Sequence, residues 1–533
     1  MNDMDIANKC SVLNISDVAS KLGVSNDNII CYGNDKAKIK FNNISANKNG
    51  KVILVTAINP TPYGEGKTTV SIGLNDGINK LGYNSLCVLR EPSLGPVFGV
   101  KGGACGGGYS QVVPMDDINL HFTGDIHAVT CCNNMICAAI DNHIFQGNSL
   151  GIDVNNILFK RCMDINDRAL RDIDLGNRRE HFDISAASEI MSILCLFKDL
   201  DDLRDRLSNI LVAYSCDGNP IYVRDLGIVG SLMVILKDAI YPNLVQSLEN
   251  NPVIIHGGPF ANISIGCSSL VGLKAATKLS DYVVTEAGFG SDMGAIKFFD
   301  IMCKNNNISP NCIVIVCTVR ALKYNSSNNS INDGLSNLGV HIDNMLKYSD
   351  NVIVCLNKFD DDSNDDINII RDYVLNKNVK FDVSTSYKDG SDGSLELARD
   401  VVSLCNGENK FKCVNLNSLS MFEKIEFYCK DMFHAKEVIF SDKATKSIDK
   451  LNDLGYGNLP VCIAKTQYSI SDNPKLLGSP SGYTVTVRDV EVKSGAGFVV
   501  CYLGNIVTMP GLCKKPNLEV IDMDNNFNIR GLF

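Results

Sequence analysis

Lys67 and Thr68 stand where a phosphate could be held, at the end of the run Gly64-Glu65-Gly66-Lys67-Thr68-Thr69. The apolar, β-branched stretch Lys51-Val52-Ile53-Leu54-Val55-Thr56-Ala57 precedes that run, and Val70-Ser71-Ile72-Gly73-Leu74 follows it in a helical pattern. A strand, a Gly-rich bend and a helix start form a phosphate cradle, because small residues let backbone N–H groups approach and the helix dipole favours an anion. In such a cradle Lys67 reaches the β- and γ-phosphates and Thr68 sets its hydroxyl on Mg²⁺. The standard pattern has Gly where this chain has Thr61. The flanking strand and helix nevertheless favour a nucleotide, ATP or GTP.

Other residues carry chemistry further on. Arg90 follows the strand-like Ser85–Leu89 and opens Arg90-Glu91-Pro92-Ser93-Leu94-Gly95-Pro96. At a strand's carboxyl end, one unit after a phosphate loop, its guanidinium can fork onto a phosphate or carboxylate, or simply pin the loop to a carboxylate. The run Lys101-Gly102-Gly103-Ala104-Cys105-Gly106-Gly107-Gly108-Tyr109 permits close backbone approach but lacks dinucleotide spacing. His121, Asp125 and His127 lie close together, yet their spacing fits no standard zinc pattern. Asp125 suits a polar site lining or contacts to Mg²⁺-bound water, and the histidines suit core or capping roles equally well. The 21 cysteines include no Cys-x-x-Cys pair and often sit in apolar strands (Cys87, Cys317, Cys355, Cys501), so they read as small reduced hydrophobes.

Strand-like runs alternate with helical ones from Lys51 onward: Lys51–Ile58, Ser85–Leu89, Val253–Ile255, Tyr282–Thr285, Cys312–Thr318 and Asn351–Leu356. Alternation of this kind predicts parallel βαβ units, hence an α/β protein with a large, doubly wound parallel sheet of P-loop type. Ligands bind beyond the carboxyl ends of such strands, where Lys67, Arg90, Glu286 and Asn357 would converge. We expect a nucleotide-binding domain over residues 1–358, a second α/β domain over 359–455, and a C-terminal mixed α/β or α+β domain over 456–533. A net charge of −10 argues against a nucleic-acid partner. Apolar runs such as Ile313–Cys317 are strand length, and the acidic, polar start Met1–Asp5 shows no secretory signal, so the expected location is cytoplasmic.

Taken in order along nearly the whole chain, several motifs resemble those of formate–tetrahydrofolate ligase (10-formyltetrahydrofolate synthetase). They are Thr61-Pro62-Tyr63-Gly64-Glu65-Gly66-Lys67-Thr68-Thr69, the Arg90–Pro96 segment, the Gly-rich run and Leu120-His121-Phe122-Thr123-Gly124-Asp125. Val283–Gly290, Ala464–Ser469 and Thr508–Leu512 complete the set. The resemblance implies that formate attacks the γ-phosphate of Mg-ATP to give formyl phosphate and ADP, and that tetrahydrofolate N10 then takes the formyl group and releases phosphate. It implies catalytic roles for Lys67, Arg90 and Asp125, nucleotide contacts from Thr61 to Thr69, and a Mg²⁺ contact at Thr68. It also implies a pterin sandwich between Phe359 and the aromatic before the Asp389–Gly393 turn, with residues 359–455 contributing to that site. A homotetramer and a monovalent activator, K⁺ or NH₄⁺, are further implications, while nucleic acid and membrane are not expected as partners.

The chain departs from the family pattern in places. It contains no Trp, and Tyr387 stands where the sandwiching Trp is usual; its ring still offers a flat apolar face. Phe145 and Ile265 replace usual histidines, and Asp360-Asp361-Asp362-Ser363 replaces the usual Pro-Thr-Asp-Thr. Two further readings are a carboxylate kinase of dethiobiotin-synthetase type and a catalytically weakened nucleotide switch. The segments reaching Leu512 favour the ligase. With the phosphate-loop strand beginning at Lys51, the chain is expected to be monofunctional.

Overall fold

The computed structural model describes residues 2–99 and 103–532; Lys101 and Gly102 of the glycine run lie outside them. A twelve-stranded, mostly parallel sheet organises the chain. Its labelled strands are β1 (Ile29–Tyr32), β2 (Lys36–Ile39), β3 (Lys51–Ala57), β4 (Ser85–Leu89), β5 (Ser110–Val113), β6 (Asn243–Ser247), β7 (Pro252–Ile255), β8 (Tyr282–Glu286), β9 (Cys312–Cys317), β10 (Val352–Asn357) and β11 (Lys380–Ser384). The order is β1-β2-β6-β7-β4-β8-β3-β9-β10-β11, with β5 beside β6 and the short Gly106–Gly107 strand beside β5. From β7 to β11 every pairing is parallel. The β1–β2, β2–β6, β6–β7 and β5–β6 pairings are antiparallel.

Central strands are apolar throughout because both faces are covered. In β3, Val52 and Leu54 enter one hydrophobic cluster while Ile53, Val55 and Ala57 enter the other. A strand buried on two faces reads as a continuous rather than an alternating run, and that signal marks β3, β8, β9 and β10 in the sequence.

Among the helices are α1 (Lys67–Lys80), α2 (Asp125–Phe145), α3 (Leu270–Leu279), α4 (Ile331–Leu346) and α5 (Leu395–Asn406). Helix α1 is buried from Thr69 to Ile78. Its Val70, Ile72, Leu74 and Ile78 pack into the cluster beneath the sheet, while Gly73 and Gly77 face the chain that follows β11. A Cβ on Gly73 would lie 2.3 Å from Ser386 Oγ, and one on Gly77 only 3.2 Å from the Ser394 carbonyl. The glycines therefore form a groove that admits Ser386–Asn406. Each costs ~1 kcal/mol of helix propensity, against ~2 kcal/mol for each fully buried Ile or Leu, so packing wins. Strand β11, beyond the expected boundary at residue 358, extends the same sheet, and α5 packs on α1.

Downstream, strands β12 (Val461–Ala464), β13 (Asp489–Lys493) and β14 (Phe498–Tyr502) form a small sheet in the order β12-β14-β13. The opening fifty residues hold two short helices, Asp3–Lys9 and Ile15–Lys21, and then the β1–β2 hairpin that caps the sheet's antiparallel edge. No helix among the described residues is long and apolar enough to cross a membrane.

Asp76 makes the α1 region sensitive to pH. Its carboxylate is buried and accepts from Ser247 Oγ at 2.8 Å and Asn251 Nδ2 at 2.7 Å, but Oδ2 has no partner among the described residues. Burial pushes this carboxyl up to about 7. The folded chain thus keeps a proton that the unfolded chain releases near pH ~4, so stability falls as pH rises from ~4 to ~7. Asp76→Asn is expected to remove that slope, with a Tm advantage over the parent that grows between pH 5 and pH 8. A Tm difference that stays constant over this range would contradict the assignment.

Candidate functional site

The Thr61–Thr69 loop leaves the carboxyl end of β3, and its shape follows from a few bonds. Gly64 and Gly66 have φ of 81° and 71°, which favours glycine over side chains with a Cβ. A Cβ on Gly66 would also strike Asn357 Nδ2, 2.3 Å away. Glu65 turns inward: Oε1 accepts from the Thr61 N–H at 2.7 Å and Oε2 from the Thr318 hydroxyl. Asn357 Nδ2 donates to the Glu65 carbonyl at 3.2 Å, and Arg320 Nη2 to the Gly64 carbonyl at 2.8 Å. The loop is thus held by the ends of β9 and β10. Among the described residues no side chain caps the N-terminus of α1, so its first N–H groups are open to an anion.

Around that helix start the parallel register gathers charge. Glu286 ends β8, beside β3 and β4, and Arg90 follows β4. Thr68 Oγ1 donates to Glu286 Oε2 at 2.9 Å. Arg90 Nη2 stands 3.8 Å from Glu286 Oε1, and Arg90 Nε is buried without a partner among the described residues. A Cβ on Gly288 would come within 2.9 Å of Arg90 Nη1, so this glycine gives the guanidinium its room. Burial pushes the Lys67 ammonium below its usual value; Glu286 and Glu65 oppose that shift and Arg90 adds to it. Two cations share one small region with a single nearby pair of carboxylates, an arrangement that a bound oxyanion would stabilise. Sequence spacing brought forward Lys67, Arg90, Glu286 and Asn357; it missed Thr318 and Arg320, whose only signal is their position just after the β9 run.

Asp125 is engaged by donors of the protein itself. It begins α2, and its carboxylate takes Lys38 Nζ at 2.6 Å and Asn243 Nδ2 at 2.8 Å, all within the protein. His121 and His127 are exposed. The Lys38–Asp125 pair acts electrostatically on Glu91, the neighbour of Arg90. Burial pushes the Glu91 carboxyl well above the usual range, Asp125 adds to the shift and Lys38 opposes it; Glu91 Oε2 has no hydrogen-bond partner among the described residues. Lys38 was invisible from sequence because it meets Asp125 across 87 residues.

The two aromatic candidates sit on adjacent loops at the same edge. Asn357 and Ser384 are paired at the ends of β10 and β11, with Phe359 and Tyr387 just beyond, and Lys388 bridges to Asp360 at 3.1 Å. Arg320 covers Phe359 at 5.0 Å and Tyr63 at 5.6 Å from the ring centres. Tyr387 is half exposed and donates its hydroxyl to Asp3 Oδ1 at 3.0 Å. The described part of the glycine run is its bed: a Cβ on Gly108 would fall 1.9 Å from the Tyr387 carbonyl, and one on Gly107 3.0 Å from the ring. Of the replaced histidines, Phe145 is exposed at the end of α2, whereas Ile265 is fully buried in the larger hydrophobic cluster.

A glycine-formed loop, an uncapped helix start and two adjoining cations define an α/β protein equipped to bind and polarise oxyanions. The family model for formate–tetrahydrofolate ligase matches residues 1–533, and the chain belongs to that family, whose members are ATP-using enzymes that form a C–N bond.

Proposed function

We propose that the chain ligates formate to tetrahydrofolate through formyl phosphate, with the chemistry at the carboxyl ends of β3, β4 and β8. The observation that carries this reading is the Arg90 guanidinium, with its uncommitted Nε beside Lys67 and the open start of α1. On this reading the large sheet is a doubly wound, P-loop-type domain, and Thr61–Thr69 wrap the triphosphate of ATP. The Thr68 hydroxyl and the Glu286 carboxylate, 2.9 Å apart, are the hard oxygen donors a divalent ion prefers. Held by Thr68 and Glu286, Mg²⁺ would supply charge neutralisation at the phosphates.

Phosphoryl transfer asks the protein mainly for positioning and charge. A formate oxygen attacks the γ-phosphorus, the bond to the ADP oxygen breaks, and ADP leaves with that electron pair. Lys67 follows the charge as it moves onto ADP, and Arg90 holds the new formyl phosphate by its phosphate end. The N10 lone pair of tetrahydrofolate then attacks the formyl carbon, the carbon–oxygen bond breaks, and phosphate departs toward Arg90 as the N10 proton is released. Asp125 acts one layer out, fixing Lys38 behind Glu91 and so the segment that carries Arg90. Phe359 and Tyr387 flank the pterin ring. The reading extends to cytoplasmic location, a homotetramer and activation by K⁺ or NH₄⁺.

ADP release measured with formate alone, tetrahydrofolate alone and both together tests this proposal. Strong turnover with both substrates only is expected. Formate-only turnover would mark a carboxylate kinase, and no turnover in any mixture would mark a nucleotide switch. In the same assay Tyr387→Ala is expected to raise the KM for tetrahydrofolate by ~10-fold, the loss of ~1.4 kcal/mol of ring contact, while leaving the KM for formate and ATP unchanged. An unaltered folate KM would remove Tyr387 from the site.

A further inference from the structure

A cavity of about 360 Å³ lies where residues 133–214 meet residues 443–493, and no residue of the phosphate loop, nor Arg90, Phe359 or Tyr387, lines it. Its apolar wall includes Ile157, Leu158, Phe159, Leu211 and Leu451. Four lysines (160, 443, 450 and 493) and four carboxylates (Asp183, Glu189, Asp489 and Glu491) share the rest of the lining.

The two signs are not equally engaged. Asp489 accepts from Lys443 Nζ at 2.6 Å and Ser447 Oγ at 3.1 Å. Glu491 Oε2 accepts from the Tyr502 hydroxyl at 3.0 Å. Glu189 Oε1 accepts from the N–H groups of Gly495 at 2.8 Å and Ala496 at 3.2 Å. Asp183 Oδ1 lies 3.6 Å from His181 Nε2 and has no hydrogen-bond partner among the described residues. The ammonium groups of Lys160, Lys450 and Lys493, by contrast, have no hydrogen-bond or ion-pair partner among the described residues. Lys450 only overlies the Tyr214 ring, 3.1 Å from its centre. Burial works against the charge on Lys160, but Asp183, Glu491 and Asp489 outweigh it and hold the ammonium above its usual value, so this donor stays cationic at neutral pH. Three cationic donors without acceptors, set against an apolar wall, match a ligand with an anionic head and an apolar body. Asp489, Glu491 and Glu189 are answered by protein donors and do not call for a cation, and Asp183 is the carboxylate that acts most strongly on Lys160.

We infer that this cavity binds a small organic anion, a carboxylate or phosphate monoester on an apolar body, at a site separate from and independent of the proposed reaction centre. Saturating Mg-ADP would first fill the phosphate loop of the full-length protein. Benzoate and phenyl phosphate would then be titrated separately by isothermal calorimetry. Saturable binding of at least one probe below ~10 mM is expected, as befits so small a ligand, and the tighter probe distinguishes a carboxylate from a phosphate head. Lys160→Met and Lys450→Ala are each expected to weaken that binding about tenfold, the scale of one charge-assisted contact. Lys450 lies on an exposed part of the rim, so its variant keeps the test usable if Lys160→Met fails to fold. Ligation rates should be unchanged in both. No saturable binding with the phosphate loop filled, or binding indifferent to both substitutions, would overturn the inference.

Discussion

Arg90→Ala is expected to reduce ligation by ~10³-fold or more, the scale on which a single preorganised cation acts in phosphoryl transfer, while the fold survives. The side chain is partly exposed and its one carboxylate contact is a loose 3.8 Å, so its removal takes little from packing. The segment that carries Arg90 is tied by its backbone instead, the Glu91 N–H donating to the Gly257 carbonyl at 2.8 Å. Mg-ADP should therefore still raise the Tm of the variant, because Lys67 and the start of α1 are intact. Loss of turnover with retained nucleotide stabilisation is the expected signature. Near-normal turnover would remove Arg90 from the reaction.

Lys67→Met should produce the complementary pattern. Methionine keeps most of the aliphatic stem and removes an ammonium that burial disfavours, so the free variant should be at least as stable as the parent. It should lose the Tm increase given by Mg-ADP and fall by ~10²- to 10³-fold in kcat/KM for ATP, as when one preorganised charge contact is deleted. Differential scanning calorimetry with and without nucleotide separates the two variants: Arg90→Ala responds to ADP and Lys67→Met does not. A Lys67→Met protein that still shows the parental shift would mean that the phosphates sit elsewhere.

The sheet was legible in sequence where physics writes it plainly. Strands covered on both faces become unbroken apolar runs, and β3, β4, β8, β9 and β10 were found that way within a residue or two of their ends. The antiparallel edge was not, because β1, β2 and β6 carry polar residues such as Lys38 and Asn243 whose partners come from far along the chain. The packing of residues beyond 358 against α1 was hidden for a related reason. The Gly73–Gly77 groove shows its purpose only when Ser386–Asn406 lies in it. At the site, strand ends announced Lys67, Arg90, Glu286 and Asn357. What spacing could not show is which way Glu65 turns, or that the glycine run is a bed for Tyr387.

Formate labelled with ¹⁸O in both carboxyl oxygens gives the most direct test of the central claim, that the carboxylate itself is phosphorylated at Lys67 and Arg90. If a formate oxygen attacks the γ-phosphorus, that oxygen stays on phosphorus when N10 displaces phosphate. Mass spectrometry of the products should then find one ¹⁸O in each released phosphate and one in the formyl group of the folate. Inorganic phosphate free of ¹⁸O, formed alongside 10-formyltetrahydrofolate, would contradict the account.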